Sequence, residues 1–284
     1  MMQRKPKYIN IKGRLIDLEP PKVMGVLNIT PDSFYIGSRY KEEHKILTAA
    51  QKMLEDGADF LDIGGYSSRP GAEDVSAGEE KGRVLKAIRL ISGEFPDAII
   101  SIDTFRADIA REAVLEYGAS MINDISGGES DSEMFALVEE LNVPYIMMHM
   151  KGNPRTMQDN PVYDDIVADI LKWFGERIVR LQRAGVKDII IDPGLGFGKT
   201  INHNFELLKR LDIFSIAGLP VMVGVSRKSM IWRTLEISPE ESLNGTSVLN
   251  TVALMNGADI LRVHDVKEAV EAVRLIEKIK AHPG

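Results

Sequence analysis

The chain has no cysteine. Disulfides, thiolate metal sites and cysteine nucleophiles are therefore excluded. No apolar run reaches the roughly 18 residues that a membrane span needs. The first ten residues, Met1 to Asn10, are polar and basic, without the apolar centre of a secretion signal. Positive charge is not in excess either: the net charge is −7 and the pI about 5.4. That argues against a broad nucleic-acid surface, although a local basic pocket for an anion stays open. These absences predict a soluble, cytoplasmic protein with no nucleic-acid or membrane partner.

What is present is ordinary globular composition, with 44% hydrophobic and 27% charged residues. A length of 284 residues allows one or two domains at about 150 residues each. The organising stretch is Ile189 to Lys199, IIIDPGLGFGK. Three consecutive isoleucines suit a strand buried on both faces. Pro193 cannot donate to a sheet ladder, so the strand ends there and delivers Asp192 at its carboxyl end. Gly194, Gly196 and Gly198 follow, in a loop whose backbone can approach a ligand. Gly198-Lys199-Thr200 imitates the end of a phosphate-binding P-loop, but Pro193 stands where that motif needs glycine. The glycine spacing also misses the dinucleotide fingerprint. Taken alone, Asp192 fits a turn cap as well as a ligand site.

Residues 8–19 suggest a short β-hairpin around Lys12-Gly13. Beyond Pro20-Pro21, eight apolar runs recur at 23–29, 60–64, 98–103, 121–125, 145–150, 188–192, 221–226 and 260–264. Helical patterns lie between and after them, at 40–56, 79–92, 106–117, 132–141, 164–184, 203–211, 244–256 and 267–280. Eight strands alternating with helices imply a parallel α/β sheet, and eight is the count that closes a barrel. A doubly wound open sheet is the alternative. The barrel is favoured because the strand ends carry Asn28, Asp62, Asp103, Asn123, His149, Asp192, Lys228, Arg262 and His264. In a barrel these ends converge on one mouth. The expectation is a single (β/α)8 barrel domain over 1–284, with the barrel proper at about 22–281 and a short N-terminal β-hairpin.

Acceptors and amides (Asp62, Asp103, Asn123, Asp192) suit a flat heterocycle with several N–H donors. Donors near the last strands (Lys228, Arg262, His264) suit phosphate, which barrels often hold there. Any one of these residues is also explained by a capped turn or a solvated rim charge. Polar groups at every strand end together are not.

With those residues in view, the sequence resembles the dihydropteroate synthases from about residue 23 to 275. The resemblance is carried by GVLNITPDSF (25–34), GADFLDIGGYSSRPGA (57–72), SIDTFRADIAREAV (101–114), INDISGG (122–128), MMHMKGNPRTMQ (147–158), IDPGLGFGK (191–199), GVSRKSMI (224–231) and LRVHDV (261–266). It implies a transferase of folate biosynthesis that joins 6-hydroxymethyl-7,8-dihydropterin diphosphate to p-aminobenzoate. By position, Asp192 accepts from the pterin 2-amino and N3–H groups, Asn123 bonds the adjoining ring edge, Asp103 takes N8–H and Lys228 donates to O4. Gly196, Phe197 and Arg262 complete the pterin site. Asn28, Arg262 and His264 hold the diphosphate, with Mg²⁺ on Asn28. The p-aminobenzoate site falls to Phe34, Ser68, Arg69, Pro70, Lys228 and Ser229. Asn28, Lys228, Arg262 and His264 take the catalytic roles, and the assembly implied is a homodimer.

Two positions depart from the family pattern. Tyr35-Ile36-Gly37 stands where Ser-Asp-Gly is usual, and Ser68 stands where threonine is usual. The first departure puts the role of that loop in question. Competing readings are a pterin-binding methyltransferase domain and a noncatalytic pterin-binding paralogue. The motifs at 29–37, 66–72, 226–229 and 262–264 favour the synthase.

Overall fold

The computed structural model describes residues 7–29, 39–66, 75–152, 157 and 161–281. The expectations for Phe34, Ile36, Ser68, Arg69 and Pro70 lie outside the described residues. The chain opens on an antiparallel hairpin, β1 (Tyr8–Ile11) with β2 (Arg14–Asp17). Lys12 and Gly13 turn it with φ of 51° and 83°, the backbone that matches the twist of paired strands.

Strands and helices then alternate. They are β3 (Lys22–Asn28), α1 (Arg39–Glu55), β4 (Phe60–Gly64), α2 (Ala77–Glu94), β5 (Ile100–Asp103), α3 (Ala107–Leu115), β6 (Met121–Asp124) and α4 (Met134–Leu141). The second half runs β7 (Tyr145–Met148), α5 (Ile166–Arg183), β8 (Ile189–Asp192), α6 (Ile201–Lys209), β9 (Met222–Val223), α7 (Ser229–Leu235), α8 (Leu243–Met255), β10 (Ile260–Val263) and α9 (Val266–Ala281). The eight strands β3 to β10 pair in parallel in the order β8-β7-β6-β5-β4-β3-β10-β9. A bridge from Ile191 to Val221 joins the two ends, and the Ile191 N–H donates to Pro220 O at 2.9 Å. The fold is the expected (β/α)8 barrel with its N-terminal hairpin.

Side chains alternate in and out along each strand. The outward set (Leu27, Leu61, Ile63, Ile102, Ile122, Met147, Ile191 and Val263 among others) packs under the helices. The inward set begins with a floor of Met24, Phe60, Met121, Ile146, Ile190, Met222 and Ile260, one residue from each of seven strands. Hairpin residues Ile9 and Ile11, with Leu18 just after it, pack on that floor from below, which explains why a two-stranded piece of chain is ordered at all.

Two local expectations are corrected. The run 221–226 yields only Met222–Val223 as strand, because the chain turns at Val225–Lys228, where the Lys228 N–H returns to Val225 O at 3.1 Å. The segment Leu211–Ala217 forms a 3₁₀ helix after α6, a length of chain for which no element was expected beyond residue 211.

Candidate active site

The inner wall changes character two residues above the floor. Phe60, Met121, Ile190 and Ile260 give way to Asp62, Asn123, Asp192 and Arg262, on the same strands and the same face. Ser101 stands beside Asp62 in the β4–β5 register. One further step up come Asn28, Asp103 and His264.

Arg262 ties this layer together. Its Nε donates to Asp62 Oδ2 at 2.7 Å and its Nη2 to Asp103 Oδ2 at 2.5 Å. Asn123 Nδ2 also donates to Asp62 Oδ2, at 2.9 Å. Burial works against the Arg262 charge, yet the two carboxylates hold its pKa above the ordinary range. Asp103 is pushed up to about 7, chiefly by burial and further by Asp62 and Asp124, with Arg262 pulling back. Asp62 Oδ1 and Ser101 Oγ are buried and have no hydrogen-bond partner among the described residues. Buried polar atoms are rarely left so, and here they are acceptors and a hydroxyl at the depth where a ligand's N–H groups would arrive.

Asp192 lies across the barrel. Its Oδ1 accepts from the Gly194 N–H at 2.7 Å, so the turn-cap reading holds for that oxygen. Burial raises the Asp192 pKa, and Lys228 is the main group opposing the rise. Lys228 is lowered to about 8 by burial and by Arg262, while Asp192 counteracts. The Lys228 ammonium donates to Leu195 O and sits 4.7 Å from the Phe197 ring centroid. The Gly196 N–H donates to Asn204 Oδ1 at 2.6 Å. Asp192, Gly196, Phe197 and Lys228 thus share one wall.

Asn28 and Asp103 flank Gly64 on the neighbouring strands, and an added Cβ there would lie 3.5 Å from Asn28 Oδ1 and 3.3 Å from Asp103 Oδ2. Gly64 therefore keeps that part of the mouth open. His264 is held by Ser226, whose Oγ is 3.2 Å from the His264 backbone N and 3.0 Å from its Nδ1. The hydroxyl accepts the backbone N–H and pairs with Nδ1 in the direction that the imidazole tautomer sets. Ser229 begins α7 directly after Lys228. The described members of the expected site therefore gather at one end of the barrel. Ser101 and Ser226 were missed: Ser101 stands two residues before Asp103 on the same strand, where alternation would have found it, whereas Ser226 lies in the turn after β9, where no periodicity points to it.

A (β/α)8 barrel whose mouth sets carboxylates and an amide against an ammonium and a guanidinium belongs to the enzymes that bind flat nitrogen heterocycles. The family model described as "Pterin binding enzyme" matches residues 24–264. The dihydropteroate synthase of Escherichia coli (strain K12) is 44% identical over 270 residues, 94% of each chain. The Yersinia pestis dihydropteroate synthase, solved with a sulfonamide drug, superposes with a TM-score of 0.90 at 39% identity, covering 97% of this chain and 100% of that one. The Xanthomonas albilineans enzyme, solved with 4-aminobenzoic acid, gives 0.90 at 37% identity over 98% and 100%. The chain belongs to the dihydropteroate synthase family.

Proposed function

We infer that this mouth joins 6-hydroxymethyl-7,8-dihydropterin diphosphate to p-aminobenzoate, giving 7,8-dihydropteroate and diphosphate in the cytoplasm. The observation that carries the site assignment is the set of buried Asp192 and Asn123 with half-buried Asp103 and Lys228 around Arg262, and with Asp62 Oδ1 and Ser101 Oγ unpartnered among the described residues. Carboxylate oxygens face the ring N–H groups, and the Lys228 ammonium faces the ring carbonyl. Phe197 supplies an apolar face. Arg262 and the His264 imidazole meet the diphosphate.

In the reaction the methylene C–O bond breaks and diphosphate leaves with the electron pair. The amine nitrogen of p-aminobenzoate then forms the new C–N bond and gives up a proton. The protein acts by holding the two reactants and stabilising charge. The Asn28 amide oxygen above Gly64 is a hard, neutral donor of the kind that would hold a Mg²⁺, an ion that commonly needs few protein ligands. When bound, Mg²⁺ neutralises charge on the departing diphosphate. The p-aminobenzoate side rests on Lys228 and Ser229 among the described residues.

A homodimer is proposed as well. Ile216, Leu235, Val248 and Met255 are exposed apolar residues on the 3₁₀ helix, α7 and α8, in the 203–256 region where pairing was expected.

The test is diphosphate release. It is expected only with both substrates present, and it should stop with EDTA and return with added Mg²⁺. Release without p-aminobenzoate would mean simple hydrolysis, and no release with both would leave a binding protein. Insensitivity to EDTA would remove the metal from the proposal. Sedimentation at the chain's own 31.6 kDa would remove the dimer.

A pH profile follows from the same groups. Pterin binding needs Asp103 ionised, and that is lost as pH falls through about 7. It also needs Lys228 protonated, and that is lost as pH rises through about 8. Dihydropterin affinity is therefore expected to be bell-shaped, with its maximum between these two values. Calorimetric titration across this range checks it, and a flat profile would place neither group against the ring.

A further inference from the structure

We propose that Lys199 is a positioning residue for the pterin pocket: its ammonium fastens the Gly194–Lys199 loop to the end of β7 and so fixes Phe197 at the pocket wall. The inference rests on the proposed function and names a residue that reaction does not touch.

Lys199 is 2% exposed, which is rare for a lysine. Its Nζ lies 3.0 Å from His149 Nδ1, 3.2 Å from His149 O and 2.8 Å from Phe197 O. Burial, with Lys228 nearby, draws the Lys199 pKa well below the ordinary lysine value, and Asp192 opposes the fall. In the ammonium form that Asp192 favours, each of the three hydrogens has an acceptor here. None is left for a substrate, so Lys199 acts through what it holds. His149 can serve as acceptor because burial, helped by Lys199, drives its pKa down to about 2 and keeps the imidazole neutral. The imidazole is itself fixed edge-on against Trp173, with ring centroids 5.1 Å apart.

The loop is built to lie against β7. Gly194 has φ of 69°, and a Cβ there would fall 2.0 Å from His149 O. Gly198 has φ of 61°, and its Cβ would fall 2.6 Å from Lys151 O. Only glycine permits both this backbone and this approach. The Tyr163 hydroxyl adds a bond to Gly198 O at 2.8 Å. Phe197 then packs beside Ile125, Met148, Met150 and Met157, with Lys228 over its ring. Lys199 sits under this arrangement and bonds the carbonyl of Phe197 itself. Its charge also favours the Asp192 carboxylate. The resemblance to the end of a P-loop noted in the sequence is therefore explained without phosphate: the lysine faces the protein's own carbonyls.

The test is Lys199→Met, which keeps the length and removes the donors. Dihydropterin affinity by calorimetry is expected to fall about ten-fold or more, the cost of a charge-assisted hydrogen bond. The half-saturating p-aminobenzoate concentration should stay unchanged. Hydrogen exchange should rise in a peptide spanning 194–199 and not in β5 or β6. His149→Leu removes one acceptor of the three, and a smaller loss in the same direction is expected, which serves if Lys199→Met does not fold. Wild-type affinity and exchange in both variants would overturn the proposal. So would exchange rising through the whole barrel, which would make Lys199 a stability residue. Absence of dihydropterin binding by the wild-type protein would instead overturn the function.

Discussion

Replacing Arg262 by methionine should destabilise the fold by about 3–5 kcal/mol, the usual cost of removing one partner from a buried ion pair. The reason is the company it keeps. Asp62 is fully buried, and both it and Asp103 accept from the guanidinium. Without Arg262 two carboxylates face each other in a low-dielectric wall. Urea denaturation measures the loss. A companion variant with Asp62→Asn and Asp103→Asn added should regain much of it, since neutral amides do not repel. If Arg262→Met unfolds at the wild-type urea concentration, the guanidinium is not needed to balance those carboxylates. The variant should also lose affinity for the diphosphate ester more than for the free hydroxymethyl pterin, because only the ester brings an anion. Equal losses would restrict Arg262 to the ring and the fold.

Asp192→Asn should weaken dihydropterin binding by about 1–3 kcal/mol, the cost of a buried donor left unpaired. The geometry shows why the amide cannot adapt. One carboxylate oxygen already accepts from the Gly194 N–H. An asparagine that keeps its oxygen there turns its NH₂ toward the N–H groups of the ring. An asparagine that flips sets its NH₂ against Gly194 and loosens the turn. Calorimetry with a dihydropterin decides the matter, and unchanged affinity would remove Asp192 from the pterin site.

Much of this was readable from residue order because it is local. Runs such as Ile189–Ile191 announce buried strands, and polar groups at their carboxyl ends announce a mouth. The pairing inside the mouth was not readable. Arg262 bridges from β10 to β4 and β5, and nothing near it in sequence signals two carboxylates so far away. Sequence reading assigned it to the pterin and the diphosphate, and the structure adds its role as counterion. Lys199 was hidden differently, by a Gly-Lys-Thr that imitates another motif. The 221–226 run looked like a full strand because its composition is right. The turn that delivers Lys228 cuts it short, a tertiary demand that apolar periodicity does not encode.

The hairpin beneath the barrel has a consequence for the opposite end. Ile9, Ile11 and Leu18 pack on the apolar floor, so among the described residues the charged layer is backed by hydrocarbon from below and faces the mouth above. The strength of every interaction among Asp62, Asp103, Asp192, Lys228 and Arg262 is therefore governed at the opening. A ligand that enters displaces solvent that screens those charges, and lowering the effective dielectric strengthens them all together. The barrel is a cup whose electrostatics are tuned by whatever forms its lid. The substrate, by filling it, sharpens the field that acts on its own leaving group.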